Sequence, residues 1–274
     1  MSDEVLDVGG ARELVAILSR PCGTPRVGVV ILNAGVLHRV GPHRLHVNLG
    51  RRLAARGFPT VRMDVGGVGD TPILEDAPSF QAGAVTDAAT AMTAMTRTTG
   101  VERFVLFGLC SGADNGLATA LADPRVVGMV TLDLPTYATR RSRLRKVAER
   151  IADAHDPTDV ARWFAKQALR RLRPPTIDPH ADPDDGQRRE VMPREALGGQ
   201  LTQLVDRGVA LLSIYSGVHR ERYNHADQVF EWFPALRGRI EHAYFPRANH
   251  SFTERAAQAA LLDTITSWFE RHYR

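Results

Sequence analysis

One cysteine stands out for its neighbours. In Gly108-Leu109-Cys110-Ser111-Gly112, an apolar run, Phe104 to Leu109, meets an Ala/Leu-rich stretch, Leu117 to Ala122, across a turn with glycines two before and two after Cys110. This reads as strand, sharp turn and helix, and a residue at the apex of so tight a turn takes a strained backbone that leaves room only for small residues at those two positions. With Ser111 at the apex the flanking positions would be Leu109 and Ala113, and the leucine would crowd the turn, so Cys110 is the better nucleophile. A thiol there faces the unpaired N–H groups and the positive end of the helix dipole, which favour thiolate, and a nearby histidine would favour it further. The N–H of Ser111 would point at an oxyanion developing on an attacked carbonyl. The same kind of glycine-rich turn also binds phosphates, or simply buries a cysteine, so the rest of the chain must decide.

A histidine and carboxylates are the partners this chemistry needs. His250 stands in Arg247-Ala248-Asn249-His250-Ser251-Phe252, between the last strand-like run, Ile240 to Phe245, and the last helical stretch. Two carboxylates compete to orient it. Glu221 follows the strand Val209 to Tyr215 and its turn Ser216-Gly217, and Asp133 ends the strand Val126 to Leu132; Glu221 is preferred. A second backbone donor for an oxyanion is offered by Asn33-Ala34-Gly35, the small-residue end of the strand Val27 to Leu32, through Gly35 or Ala34. Arg39 and Arg44 lie just beyond, where they would hold a substrate carboxylate or phosphate or stand as solvated charge. His38, His43 and His46 cluster there without a carboxylate or cysteine, which argues against a metal site.

The elements that must position these residues alternate. Strand-like runs at Ala11 to Leu18, Val27 to Leu32, Phe58 to Met63, Phe104 to Leu109, Val126 to Leu132, Val209 to Tyr215 and Ile240 to Phe245 are interleaved with helical patterns, the signature of a largely parallel sheet covered by helices. Only the stretch 136–207 departs from this order. It reads as two or three helices around the Pro/Asp-rich loop Pro174 to Pro193 and is expected to form a helical lid on a core made of 1–135 and 208–274, with Trp163 and Phe164 lining a pocket or the lid's own core. From Arg140 to Arg173 it carries eleven cationic residues against four acidic ones, a surplus of seven in a chain whose formal charge is +4. Arg141, Arg145 and Arg170 represent a face suited to an acidic partner; the plain alternative is a solvated helix face.

Length and composition exclude several classes. At 274 residues and 43% apolar the chain can bury one large core. Two cysteines, Cys22 and Cys110, make no disulfide framework and no zinc spacing. The acidic opening Met1 to Asp7 lacks the character of a signal peptide and no run reaches membrane-spanning length, so a cytoplasmic protein is expected. No nucleic-acid motif accompanies the basic stretch.

In this order the features resemble an α/β-hydrolase: the loop Asn33-Ala34-Gly35, the pattern Asp64-x-x-Gly67-x-Gly69-x-Thr71, the nucleophile elbow Gly108-x-Cys110-x-Gly112, a helical insertion, and the late His250. Cysteine at the apex is similar to dienelactone hydrolases, to cysteine-dependent acyl and aminoacyl shuttle transferases, and to hydrolase-like proteins associated with exosortase systems, the last through Gly108 to Asp114 and His38 to Pro42. The resemblance implies an α/β-hydrolase fold and a Cys–His–acid triad without a cofactor. Attack by such a thiolate would leave an acyl-thioenzyme on Cys110, so an acyltransferase or thioesterase-like enzyme is expected, and the basic stretch suits a donor thioester on coenzyme A or on an acidic acyl or peptidyl carrier protein. Ester or lactone hydrolysis of a small soluble substrate, and a non-catalytic binding protein of the same fold, are the alternatives.

Overall fold

The computed structural model describes the chain apart from residues 1, 10–12, 22, 24, 25, 74–78, 153–155, 173–190, 220 and 221. Its eight strands form one sheet: β1 (Asp3–Val5), β2 (Ala16–Ser19), β3 (Gly28–Ile31), β4 (Thr60–Met63), β5 (Phe104–Leu109), β6 (Val126–Leu132), β7 (Ala210–Ser216) and β8 (Glu241–Phe245). The spatial order is β1-β2-β4-β3-β5-β6-β7-β8. β1 and β2 pair antiparallel, as do β2 and β4, and every other neighbouring pair is parallel. Parallel neighbours force each chain return to cross a face of the sheet; the helices α1 (Leu45–Ala54), α2 (Phe80–Thr99), α3 (Ser111–Ala122) and α6 (Arg194–Asp206) lie on such crossings, and α8 (Arg255–Tyr273), after the last strand, covers the face that α1 covers.

Both faces of the sheet are therefore buried. Phe104 and Leu106 of β5 join one core with Ala88, Met92 and Met95 of α2 and Leu117 of α3, while Val105, Phe107 and Leu109 join another with Leu49 of α1 and Trp268 and Phe269 of α8. The alternation follows from the period of two along a strand, and because each side meets helices the run contains no polar break. The methionines of α2 are core packing, as their spacing indicates. At the start of β6, Tyr273 donates its hydroxyl to Val127 O at 3.0 Å, and Gly128 leaves it room, since a Cβ there would overlap the hydroxyl oxygen.

Between β6 and β7 lie three helices, α4 (Arg140–Ala152), α5 (Pro157–Leu172) and α6. They are not alike. α6 buries Leu197, Leu201 and Leu204 in the core shared by α2 and α3, so the last part of the stretch 136–207 is a sheet-covering helix that prepares the return into β7. Its apolar residues at i, i+4 and i+7 make one stripe that only a core can satisfy. α4, in contrast, has Ser142 as its sole buried residue among those described. Between Val229 and Trp232 a short helix, α7, leads toward β8.

Candidate functional site

All the parallel strands leave the sheet at one edge, and the turns that follow them there carry the residues singled out in the sequence. Cys110 closes β5 with φ 55° and ψ −122° and caps the N-terminus of α3. A β-carbon on Gly108 would overlap the backbone of Gly112, and one on Gly112 would overlap the carbonyl oxygen of Asn33. Those two glycines are what allow strand, turn and the 33–35 loop to touch backbone to backbone. The conformation costs roughly 1–3 kcal/mol at a non-glycine residue, and the core on both sides of β5 holds it.

Asp133 ends the neighbouring strand β6, also with positive φ, 58°, and is fully buried. Its Oδ1 accepts the Ser216 N–H at 2.7 Å, and its Oδ2 accepts the Ser216 hydroxyl at 2.7 Å and lies 2.7 Å from His250 Nδ1. His250 is also hydrogen-bonded to the Cys110 thiol. Asp133 first, and then Cys110, stabilise the imidazolium and push the His250 pKa up from 6.5 to about 9, against a smaller opposing effect of burial. The histidine loop is pinned on both sides: Gly217 N–H donates to Ala248 O at 2.9 Å, Asn249 and Thr253 exchange two hydrogen bonds, and Phe252, with φ 48°, is buried against Phe245.

Cys110, His250 and Asp133 are thus brought together. Glu221, the carboxylate preferred from the sequence, lies outside the described residues, and the ring nitrogen it would have held is taken by Asp133. Ser216 stands at the end of β7, and its hydroxyl and N–H anchor the acid from the next strand. The sequence carried a signal for it only in the missing acid at that turn.

The 33–35 loop is held by a residue that the sequence pattern flagged without a role. Asp64, fully buried at the end of β4, accepts hydrogen bonds from Asn33 Nδ2 at 3.1 Å, from the backbone and guanidinium of Arg39, and from Asp70 N–H at 3.3 Å. Asn33 in turn accepts from Val65 N–H at 2.8 Å and donates to Leu37 O at 2.9 Å. Gly69 must be glycine here, because its φ is 58° and a Cβ would run into the Asp64 carboxylate. Gly35 N–H, expected to be free for an oxyanion, donates instead to Ser111 Oγ at 2.8 Å.

Two of the five arginines singled out in the sequence, Arg39 and Arg145, are engaged within the chain. Arg39 is committed to Asp64 and, at 2.7 Å, to Asp70, which removes it as a free anion binder. Arg44 is exposed, with left-handed backbone at the start of α1. Arg145 spans Asn224 at 2.8 Å, Glu231 at 2.8 Å and Gln228 at 3.2 Å. It ties α4 to the segment after β7, so its charge is not offered to a partner. Arg141 is exposed; the side chain of Arg170 lies outside the described residues. Among the described residues no group of three or more His, Cys, Asp or Glu could hold a metal ion, and no helix is long and apolar enough to cross a membrane.

No protein-family model matches the chain, and no curated protein is significantly similar to it. Solved structures are. Dienelactone hydrolase from Anabaena variabilis superposes with a TM-score of 0.55 at 15% identity over 100% of this chain and 99% of its own. An α/β serine hydrolase without a lid from Xanthomonas campestris gives 0.57 at 14% identity, over 99% and 94%. A proline iminopeptidase-related protein from Thermus thermophilus gives 0.54 at 19%, over 97% and 98%. With the strand order and the turns at the carboxyl edge of the sheet, these likenesses establish that the chain has the α/β-hydrolase fold.

Proposed function

We propose that the protein is an acyl-transfer enzyme that forms an acyl-thioenzyme on Cys110. The observation that carries this reading is the single His250 ring bonded on one side to buried Asp133 and on the other to a thiol held at a strained strand-to-helix apex. An imidazolium beside a thiol favours thiolate, so the nucleophile is present before substrate arrives. Attack forms the S–C bond and drives the carbonyl π pair onto oxygen, beside the Ser111 N–H and the 33–35 loop, where Ala34 supplies the remaining backbone candidate. Collapse expels the leaving group, which takes its proton from His250. The neutral ring then accepts the proton of the incoming thiol, amine or water.

The intermediate is itself a thioester, so exchange with another thioester is nearly thermoneutral, and amines and thiols discharge it faster than water does. That favours transfer over hydrolysis. Hydrolysis of an ester or lactone is the second reading, favoured by the likeness to a dienelactone hydrolase. The cationic surface of α4, which leaves Arg140, Arg141, Arg143 and Arg150 exposed, suits the phosphates of coenzyme A or an acidic carrier protein. We infer that α4 and α5, without α6, form a lid at the mouth of the site.

The test is intact-protein mass after exposure to acyl thioesters and to p-nitrophenyl acetate. A mass increase on Cys110 is expected, absent in Cys110→Ala and slowed by about 10²–10⁴-fold in His250→Ala. Turnover that persists in Cys110→Ala would reject the reading.

A further inference from the structure

We propose that the Ser111 hydroxyl is itself an oxyanion donor, so that Ser111 stabilises the intermediate through both its N–H and its O–H; this rests on Cys110 being the nucleophile. Three observations lead there. Gly35 N–H does not point at an empty hole but donates to Ser111 Oγ at 2.8 Å. That contact is built in, because the start of α3 abuts the 33–35 loop so closely that Gly112 has no room for a β-carbon against Asn33 O. Ser111 directly follows Cys110 at the first position of α3 and is only half-buried, and its own proton has no acceptor among the described residues.

A hydroxyl that accepts one hydrogen bond and has its proton unassigned is a donor waiting for an acceptor. The acceptor that appears in this corner during the reaction is the oxygen of the attacked carbonyl. Accepting from Gly35 N–H polarises the hydroxyl, which makes it the better donor. Gly35 therefore acts on the oxyanion through Ser111 rather than directly. No bond to Ser111 changes in the step: the thiolate pair forms the S–C bond, the π pair moves to oxygen, and Ser111 keeps its proton while hydrogen-bonding the new negative charge. The arrangement also explains why a serine adjacent to a cysteine nucleophile has no need to be a nucleophile itself.

The isosteric pair Ser111→Thr and Ser111→Val isolates the hydroxyl, and Ser111→Ala removes it with the least added bulk. Two rates at Cys110 are compared by mass spectrometry: acyl loading from p-nitrophenyl acetate, which passes through an oxyanion, and alkylation by iodoacetamide, which does not. Loading is expected to fall about 10²-fold in the Ala and Val variants and to stay within roughly tenfold of the parent in the Thr variant, with alkylation in all three within about twofold. Equal loading by Thr and Val, or alkylation that falls in step with loading, overturns the proposal, the second because it makes Ser111 a support for the thiol or the fold. A parent protein that is alkylated at Cys110 but never acylated overturns the acyl-transfer reading itself, a failure visible before any variant is made.

Discussion

The proton on His250 is the property that sets the behaviour of the site. Its pKa of about 9, raised by Asp133 and then by Cys110, keeps the ring protonated through neutral pH. Asp133→Asn removes the larger support, and the alkaline limb of the loading rate is expected to move from about 9 toward 6.5. The rate should fall by less than the roughly 10⁴-fold lost when the same pairing is broken behind a serine nucleophile, because a thiolate needs less help from its base. A pH–rate profile of the variant with its alkaline limb unmoved would show that another carboxylate holds the ring. That Cys110 and His250 would meet was legible, because glycine spacing marked one and chain order the other. The acid was not, because a carboxylate's partner is set by which strands lie side by side. Asp133 and Ser216 are 83 residues apart and become neighbours only once β6 pairs with β7. The partner of Gly35 was hidden for a similar reason, since a hydrogen bond from the loop after β3 to the start of α3 leaves no trace in either stretch alone.

At the scale of elements, the approach to α1 shows how a buried polar group is tolerated. His46 is fully buried in the first turn of α1, edge-on to Phe107 at 5.9 Å, with both ring nitrogens unpartnered among the described residues. Burial, and then the Arg62 charge, push its pKa down to about 3. Gly41, with φ 71°, passes directly over the ring, where a Cβ would overlap it. Gly41→Ala is therefore expected to destabilise the fold by about 1–3 kcal/mol. His46→Leu removes two unsatisfied groups, which cost about 1–3 kcal/mol in such a place, and is expected to leave stability unchanged or higher in urea unfolding. The helices of 136–207 were legible as helices, but their roles were not. α6 differs from α4 in having its leucines at core spacing, and the high charge around both concealed that difference.

Over the whole molecule the two histidines act in opposite directions. His46 is neutral when folded and charges more readily when unfolded, so its contribution is lost as pH falls from 6.5 toward 3. His250 holds its proton more tightly when folded, so its contribution is complete below 6.5 and lost as pH rises through about 9. The melting temperature is thus expected to fall on both sides of a maximum near neutrality, with His46→Leu flattening the acid side and Asp133→Asn the alkaline side; a curve unchanged by both variants would place the titrating groups elsewhere. Charge is distributed just as unevenly. The surplus on the stretch 140–173 was plain in the sequence, but which arginines face outward was not, as Arg145 shows. Reversing Arg140, Arg141 and Arg143 to Glu is expected to slow loading from a carrier-bound thioester and spare a short pantetheine thioester, with the difference shrinking as salt rises. Equal effects on both donors would remove α4 as a docking face. The alternation of strands and helices made the fold class the most legible level of all, but not the strand order, nor β1 and the antiparallel pairing of β2 with β4, which depend on contacts between distant stretches.

The pairing of Cys110 with His250 has a redox side. A sulfur kept as thiolate and partly open to solvent is the form that peroxide attacks, giving first a sulfenic acid and, with excess oxidant, acids that thiols no longer reverse. Cys110 is the one free cysteine among the described residues, and they offer no second sulfur to trap the first oxidation step as a disulfide. On the acyl-transfer reading proposed above, the same hydrogen bond that readies the nucleophile also exposes it to oxidation.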